Sequence, residues 1–488
     1  MKGELDNSQC GGPTTGADGA ANAQYAAFSP PPFHTIRAPA NVMFRLFDVP
    51  YRAEVRANLK LAAPLMAAQL AGVGMAAVDT VFAGRLGPEA LAAVAVGFNL
   101  NAIFWVFCMG VLMACSPIVA HAVGSGRSSA QITCFTRRAL WFSLFVSVFW
   151  AAGLNLAAAP VLSHLHLPAE TTRLAIVFAR WLSLSAFGTC LWFVLRFSAE
   201  GLGETRPIVY AGLIGLIANA FLDWLLLFGH WGLPAMGAPG CGLATALASV
   251  LMAAALAFSY RTAPALRAVG LAEPRATPEG VRDVLRLGLP IGAILVAEGG
   301  LFVVSSLLMA SFGDTAVAAH QIAFNFASLV FMIPLGLALA TTVRVGHAAG
   351  AGDYSAARFR GQVGMSLGAI NAISNAAILA FLRLPIAGLY TEDAGIATRA
   401  ARFLLLASVF QIFDGVQVTA NGALRGIKDT RLPFAITLVA YWIVGVPVSC
   451  WLAFRTDVAA DGLWWGMTAG LMVAAAGLVW RFLSHKSV

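Results

Sequence analysis

The sequence predicts an all-α integral membrane protein with twelve transmembrane helices in two six-helix pseudo-symmetric lobes. An internal repeat, an unusually apolar composition and basic residues gathered on alternate connections carry that prediction. Val119-Ala120-His121-Ala122-Val123-Gly124-Ser125-Gly126 reads like Val345-Gly346-His347-Ala348-Ala349-Gly350-Ala351-Gly352, at an offset of 226 residues. The same offset pairs Pro64 with Pro290, Gly87 with Gly313, and Phe98-Asn99 with Phe324-Asn325. Residues 201–206 (GLGETR) match 426–431 (GIKDTR) at an offset of 225, so one residue separates repeats that otherwise keep step. Duplicated halves of this size are the sequence form of a transporter with its site between repeats.

The 488 residues are 59% hydrophobic and 11% charged. A mean hydropathy of +0.78 is more apolar than a water-soluble domain of ordinary composition carries. Backbone groups in lipid must be satisfied within their own segment, so about 20 apolar residues per crossing read as helix. Six such segments precede the joint, near 58–84, 89–118, 133–158, 171–200, 207–229 and 241–261. Six follow it, near 284–311, 316–345, 361–382, 396–424, 432–454 and 462–483. An even number of crossings per half returns the chain to its starting side, so the repeats share one orientation and their axis stands along the membrane normal. Pro64 and Pro290, near the starts of spans 1 and 7, are placed to bend their helices. The resulting division is a disordered cytoplasmic tail over 1–57, lobes over 58–262 and 284–483, and a cytoplasmic linker over 263–283.

A net charge of +8 suggests nucleic acid until the basic residues are placed. Arg52, Arg56, Lys60, Arg127, Arg137, Arg138, Arg206, Arg261, Arg282, Arg358 and Arg431 fall on one set of connections, and few fall on the other. By the positive-inside rule that side is cytoplasmic, with both termini of a multi-pass protein there. The seven cysteines are odd in number and scattered, without disulfide or zinc spacing, and read as small packing residues. The first fifty residues lack the basic start and apolar core of a signal peptide.

Acidic residues inside the apolar segments are the candidate site. A charge at the centre of a span costs about 2.5–3.5 kcal/mol on insertion scales. In the first half these residues are Asp79 in span 1 and Asp223 in span 5, with Asn219 one turn before Asp223 on the same face. In the second half they are Glu298 in span 7, with Ser305 on its face, and Asp414 in span 10. Gln411, Asp414, Gln417, Asn421 and Arg425 form one polar stripe along span 10. Buried carboxylates exchange a proton for a metal ion or an organic cation, because desolvation favours the neutral acid and a bound cation favours the anion.

The remaining polar and aromatic signals have plainer readings. His121 and His347, at equivalent helix ends, read as residues closing those ends over their last carbonyls. His320-Gln321 is a candidate lining pair. Trp141, Trp150, Trp231, Trp451, Trp464, Trp465 and Trp480 read as an interfacial aromatic belt. Phe302, Phe324, Phe326 and Phe331 read first as packing residues and second as the lining of a cavity for aromatic cations.

The segments Val78-Asp79-Thr80-Val81-Phe82-Ala83-Gly84, Ala318-Ala319-His320-Gln321, Arg344-Val345-Gly346-His347 and Asp414-Gly415-Val416-Gln417 resemble, in order along residues 55–483, the NorM-like branch of the multidrug and toxic compound extrusion (MATE) family. The resemblance implies two six-helix lobes and export of amphipathic organic cations in exchange for Na⁺ or H⁺, by alternating access. It implies no enzyme activity and no cofactor beyond the coupling ion. Glu298 and Asp414 stand where the family's second-lobe carboxylates are expected, and Asp79 and Asn219 match its first-lobe polar residues. Asp223 occupies a position expected to be Asn in many NorM-like members, which looks closer to other branches and leaves the coupling ion open between H⁺ and Na⁺. Expected partners are drug-like organic cations and the bilayer, with no nucleic acid, and the protein is expected to be a monomer. A lipid-linked oligosaccharide flippase of related fold is the alternative, and it would call for basic residues facing the cavity. An intramembrane enzyme lacks support, since no His-Glu-x-x-His spacing occurs.

Overall fold

The computed structural model describes residues 49–164, 167–269 and 281–485, and every regular element among them is helical. In chain order the membrane helices are α1 (Val49–Arg85), α2 (Pro88–Gly124), α3 (Ser129–Ser163), α4 (Ala169–Ser183 continued by Ser185–Gly201), α5 (Arg206–Phe228) and α6 (Ala238–Thr262). There follow α7 (Val281–Phe312), α8 (Asp314–Gly350), α9 (Tyr354–Tyr390), α10 (Ala394–Gly426), α11 (Arg431–Arg455) and α12 (Asp461–Ser484). Eleven of these are separately long and apolar enough to cross a bilayer, and α4, bent by 41° at its break, completes twelve when its two segments count as one span.

The repeat is visible in the turns. Gly87 and Gly313 precede α2 and α8 with φ of 116° and 85°, and Gly126 and Gly352 follow them with φ of 68° and 77°. Each pair is a repeat pair in a left-handed conformation that a side chain disfavours. The next pair departs from this rule. Gly203 has φ 83°, and its counterpart after α10 is Lys428 with φ 61°. The backbone N–H groups make equivalent bonds, Gly203 to the Glu200 carbonyl at 2.8 Å and Lys428 to the Arg425 carbonyl at 2.9 Å. Turn geometry is therefore kept although the residue is not.

Helix starts carry their own signals. Ser128 and Gln131 form a reciprocal capping box at α3, and Asp353 accepts from the Ala356 N–H at 2.9 Å to cap α9. That backbone bond holds the Asp353 carboxyl below its ordinary value. Its contribution to stability is thus present above the usual carboxylate range and lost as pH falls through the folded-state value. Asp393 caps α10 in the same way through Ile396, at 2.8 Å.

The described chain forms two compact units, one of residues 67–292 and the other of residues 49–66 with 293–485. The division falls inside helices, between residues 66 and 67 of α1 and between 292 and 293 of α7, and not at the expected joint over 263–283. Both changeovers come just after a repeat-paired proline, Pro64 and Pro290. Residues 49–57, expected in the tail, open α1 instead. Glu54 explains this, since it accepts from Arg344 Nε at 2.8 Å and lies 3.7 Å from Arg360, so a polar stretch gains fixed partners by being helical. The rest of the expected tail, residues 1–48, lies outside the described residues, as do residues 270–280 of the expected linker, whose start forms the short helix Pro264–Arg267.

In the second unit α10 is pressed onto α8 by glycine. A Cβ on Gly422 would lie 2.4 Å from the Ala338 carbonyl oxygen, so only glycine allows that approach. α11 is interrupted by a π-helical stretch, Val439–Gly445. Pro447, at the start of the following α-helical segment, has no N–H to offer the carbonyl four residues back, which favours the wider turn.

Because a non-glycine residue in the left-handed region costs about 1 kcal/mol, Lys428→Gly should raise the unfolding free energy by about that amount in a denaturant titration in micelles. Gly203→Lys should lower it by a similar margin.

Candidate cation sites in the two repeats

In the first unit α1, α5 and α6 bring their polar groups to one point. Asn219 Nδ2 donates to Asp79 Oδ1 at 3.0 Å, and Thr245 Oγ1 donates to Asp79 Oδ2 at 3.2 Å. Asp223 is wholly buried and neither of its oxygens has a hydrogen-bond partner among the described residues. Ligand atoms of Asp79, Asp223 and Cys241 lie within 4.8 Å of one another. Asp79, Asn219 and Asp223, singled out from the sequence, are thus neighbours. Cys241, expected to be only a packing residue, belongs to the same cluster, and Thr245 was not singled out at all. Their spacing of four residues on α6 was the available signal, but nothing in the sequence pointed α6 at Asp79.

Asn219 and Thr245 both donate to Asp79, which leaves Asp223 with only the weak Cys241 thiol beside it. An uncompensated buried charge costs several kcal/mol. A proton shared between Asp79 and Asp223, or a cation held by both, meets that cost.

In the second unit α7, α8, α10 and α12 enclose a chamber of about 60 Å³, whose lining includes Glu298, Asp414, Gln411, Phe302, Phe324 and Trp464. Glu298 is half-buried and lines the chamber. Asp414 is 3% exposed, and its Oδ1 has no hydrogen-bond partner among the described residues. Gln411 Nε2 donates to the Ala327 carbonyl at 3.0 Å, which fixes the amide and leaves Oε1 without a partner. Three oxygen-bearing side chains therefore meet without a fixed donor for each. Neither carboxylate forms a salt bridge among the described residues, although Arg425 lies within Coulombic range of Glu298.

The stripe on α10 is buried throughout, from Gln411 to Arg425. Only its first two members, Gln411 and Asp414, line the chamber. Gln417 and Asn421 continue along the helix, and Gln417 has no partner on either amide atom. Ser305 is buried but does not line the chamber. Phe331 joins Phe302 and Phe324 in the lining, whereas Phe326 packs against the apolar core. His320 bonds to Ser306 at 3.0 Å and stacks on Phe324, so it supports the wall without forming it.

Two expectations for tryptophan are corrected. Trp464 is 1% exposed and lines the chamber, and Trp150 is fully buried with its Nε1 donating to Asn101 at 2.8 Å. The other five hold exposed positions. Tyr441, missed from sequence, lies in the π-helical stretch, fully buried and within Coulombic range of both Glu298 and Asp414, with no partner for its hydroxyl among the described residues. The adjacent Trp442 anchors this stretch to α7 through a 3.2 Å bond to the Ala297 carbonyl.

Duplicated helical units with an acid cluster in each are the architecture of a membrane transporter. The MatE family model matches twice, over residues 64–225 and 290–451, reproducing the 226-residue offset. Multidrug resistance protein PmpM of Pseudomonas aeruginosa is 38% identical over 436 residues, covering 88% of this chain and 91% of that protein. Multidrug resistance protein NorM of Aliivibrio fischeri is 36% identical over 446 residues, covering 89% and 95%. The eukaryotic MATE transporter AtDTX14 superposes with a TM-score of 0.82 at 21% identity, covering 90% of this chain and 97% of that one. An outward-facing multidrug resistance MATE transporter gives 0.81 at 22%, covering 89% and 97%. The chain belongs to the multidrug and toxic compound extrusion (MATE) family.

The first cluster makes a clear energetic contrast. Asn219→Leu removes a donor from buried Asp79 and should cost about 1–3 kcal/mol, read as a lowered melting temperature in detergent. Asp223→Asn replaces an unpartnered carboxylate with a neutral isostere and should leave that temperature unchanged or raise it.

Proposed function

We propose that the protein is a multi-pass efflux antiporter of the inner membrane that exports amphipathic organic cations in exchange for Na⁺ or H⁺ by alternating access. The observation that carries this reading is the chamber shared by Glu298 and Asp414. The chamber, of about 60 Å³, has room for a small cation with water beside it, since about 10–15 Å³ of such space already holds one water.

The donor set suits a hard monovalent ion or a proton. Glu298, Asp414 and Gln411 Oε1 offer oxygen, the ligand atom that hard cations prefer. Entry of one positive charge lowers the cost of the acid pair in its apolar surroundings, and its departure restores an anionic site that draws in the next cation. Each elementary charge crossing the full field is worth about 2.3 kcal/mol per 100 mV, so an inward ion supplies work for outward movement of a solute. In the first repeat the sharing of one proton between Asp79 and Asp223 satisfies both carboxylates, which favours H⁺ there.

The relatives named for multidrug resistance support small-molecule drugs as substrates. The charge distribution supports cytoplasmic termini, and both units contain a complete acid cluster, so a monomer suffices. A lipid-linked oligosaccharide flippase fits less well. Arg196 is committed to Glu200 at 2.8 Å and to Gln69 at 2.6 Å, and Arg344 to Glu54, so these intramembrane arginines serve internal acids and not a polyanionic head group.

In proteoliposomes with separately imposed Na⁺ and H⁺ gradients, Asp414→Asn and Glu298→Gln should each abolish gradient-driven ethidium export while the protein still inserts. Export at the wild-type rate by either variant would remove the second-repeat acids from the coupling. Tyr441→Phe tests the chamber's edge: loss of an unpartnered hydroxyl should leave thermal stability unchanged, and a reduced apparent affinity for the driving ion is the expected effect.

A further inference from the structure

A groove of about 660 Å³ lies within the second unit between the first half of α1 and α9. Its α1 wall carries two parallel stripes at four-residue spacing, the basic Arg52, Arg56 and Lys60 beside the apolar Tyr51, Val55 and Leu59. α9 contributes Leu367 and Ile370. Arg56 and Lys60 are exposed and make no hydrogen bond or ion pair with other described residues. The single acid on this stretch, Glu54, is turned the other way. At about 100° per residue it falls roughly opposite the basic stripe, where it is held by Arg344 and Arg360. No acidic residue lines the groove.

Position along α1 matches these stripes to the layers of a bilayer. The helix has 37 residues, about 55 Å at 1.5 Å per residue, against a hydrocarbon core of about 30 Å. The helix exceeds the core by about 25 Å, and its basic Arg52, Arg56 and Lys60 place that excess at the first turns, in the headgroup layer. From Arg52 to Lys60 the rise is about 12 Å, and the long stem of Lys60, the deepest of the three, lets its charge snorkel back toward that layer. The apolar end of the groove lies deeper, since Leu367 packs against the cluster of Ala62, Leu337 and Ala340. The α1 wall also lies ahead of residue 64, where the family match begins.

We propose that this groove binds one anionic phospholipid of the surrounding bilayer, its phosphate-bearing headgroup on Arg52, Arg56 and Lys60 and an acyl chain along Leu59, Leu367 and Ile370. Positive charge alone is accounted for by topology. A basic rim continuous with an apolar slot on two helices is the complement of an amphiphile with an anionic head, which neither a soluble anion nor a zwitterionic lipid matches in full. The inference is independent of the transport reading.

The test is native mass spectrometry of the full-length protein in detergent, titrated with phosphatidylglycerol, with phosphatidylethanolamine of the same chains, and with glycerol phosphate. Phosphatidylglycerol should bind preferentially, and glycerol phosphate should not displace it. The double variant Arg56→Gln/Lys60→Gln should weaken phosphatidylglycerol binding by about thirty-fold, from about 1 kcal/mol per basic residue, with phosphatidylethanolamine unaffected. Ile370→Trp, which fills the slot and leaves the charge intact, should weaken it as well. Ile370 is exposed, and this second variant keeps the test decisive if the charge variant folds poorly. Equal binding of the two lipids, or no loss in either variant, would overturn the proposal. Displacement by glycerol phosphate would overturn it in favour of a soluble-anion site.

Discussion

Every acidic group taken into the apolar interior of this protein has to be answered, and the way each is answered separates scaffold from site. Glu54 is answered by two arginines and Glu200 by Arg196 one turn earlier. Each of these acids is held in an ion pair, and breaking one would strand a charge at a cost of several kcal/mol. Asp79 is answered by neutral donors, Asn219 and Thr245. Asp223 and Asp414 are left with unpartnered oxygens among the described residues. Buried polar groups left without a partner call for a physical account, and the proposed ion exchange supplies one for these positions.

The helices around the second-repeat acids are placed by close contact together with a few polar bonds. Gly422 lets α10 meet α8 at backbone distance, and the π-helical stretch of α11 turns Tyr441 toward the acids while Trp442 holds it on α7. Wide turns of this kind often occur at functional sites because they redirect side chains without ending the helix. The polar stripe of α10 is consequently divided. Gln411 and Asp414 face the chamber, whereas Gln417 and Asn421 sit farther along in protein surroundings.

The repeats show what duplication retains when sequences diverge. Turn conformation survives at Gly87 and Gly313, at Gly126 and Gly352, and even at Gly203 and Lys428 where the residue does not. The acids do not follow that pattern. Asp79 on α1 has Ser305 on α7 as its repeat counterpart, while Glu298 and Asp414 arise elsewhere in the second half. Backbone geometry is shared by the halves, and the buried acids stand at different repeat positions in each.

Sequence alone determined the membrane class, the twelve apolar segments, the duplication and the identity of the buried acids, because hydropathy, repeat offset and the cost of charge in lipid are local properties read residue by residue. It placed Asn219 beside Asp223 and Gln411 beside Asp414, since one helical turn separates each pair. Tertiary structure alone decided that α6 brings Thr245 and Cys241 to Asp79, that Glu298 and Asp414 share one chamber, and that Trp464 belongs to its wall instead of the membrane interface. Those facts depend on which helix faces meet, and helix–helix contacts among uniformly apolar surfaces leave no periodic trace in the chain.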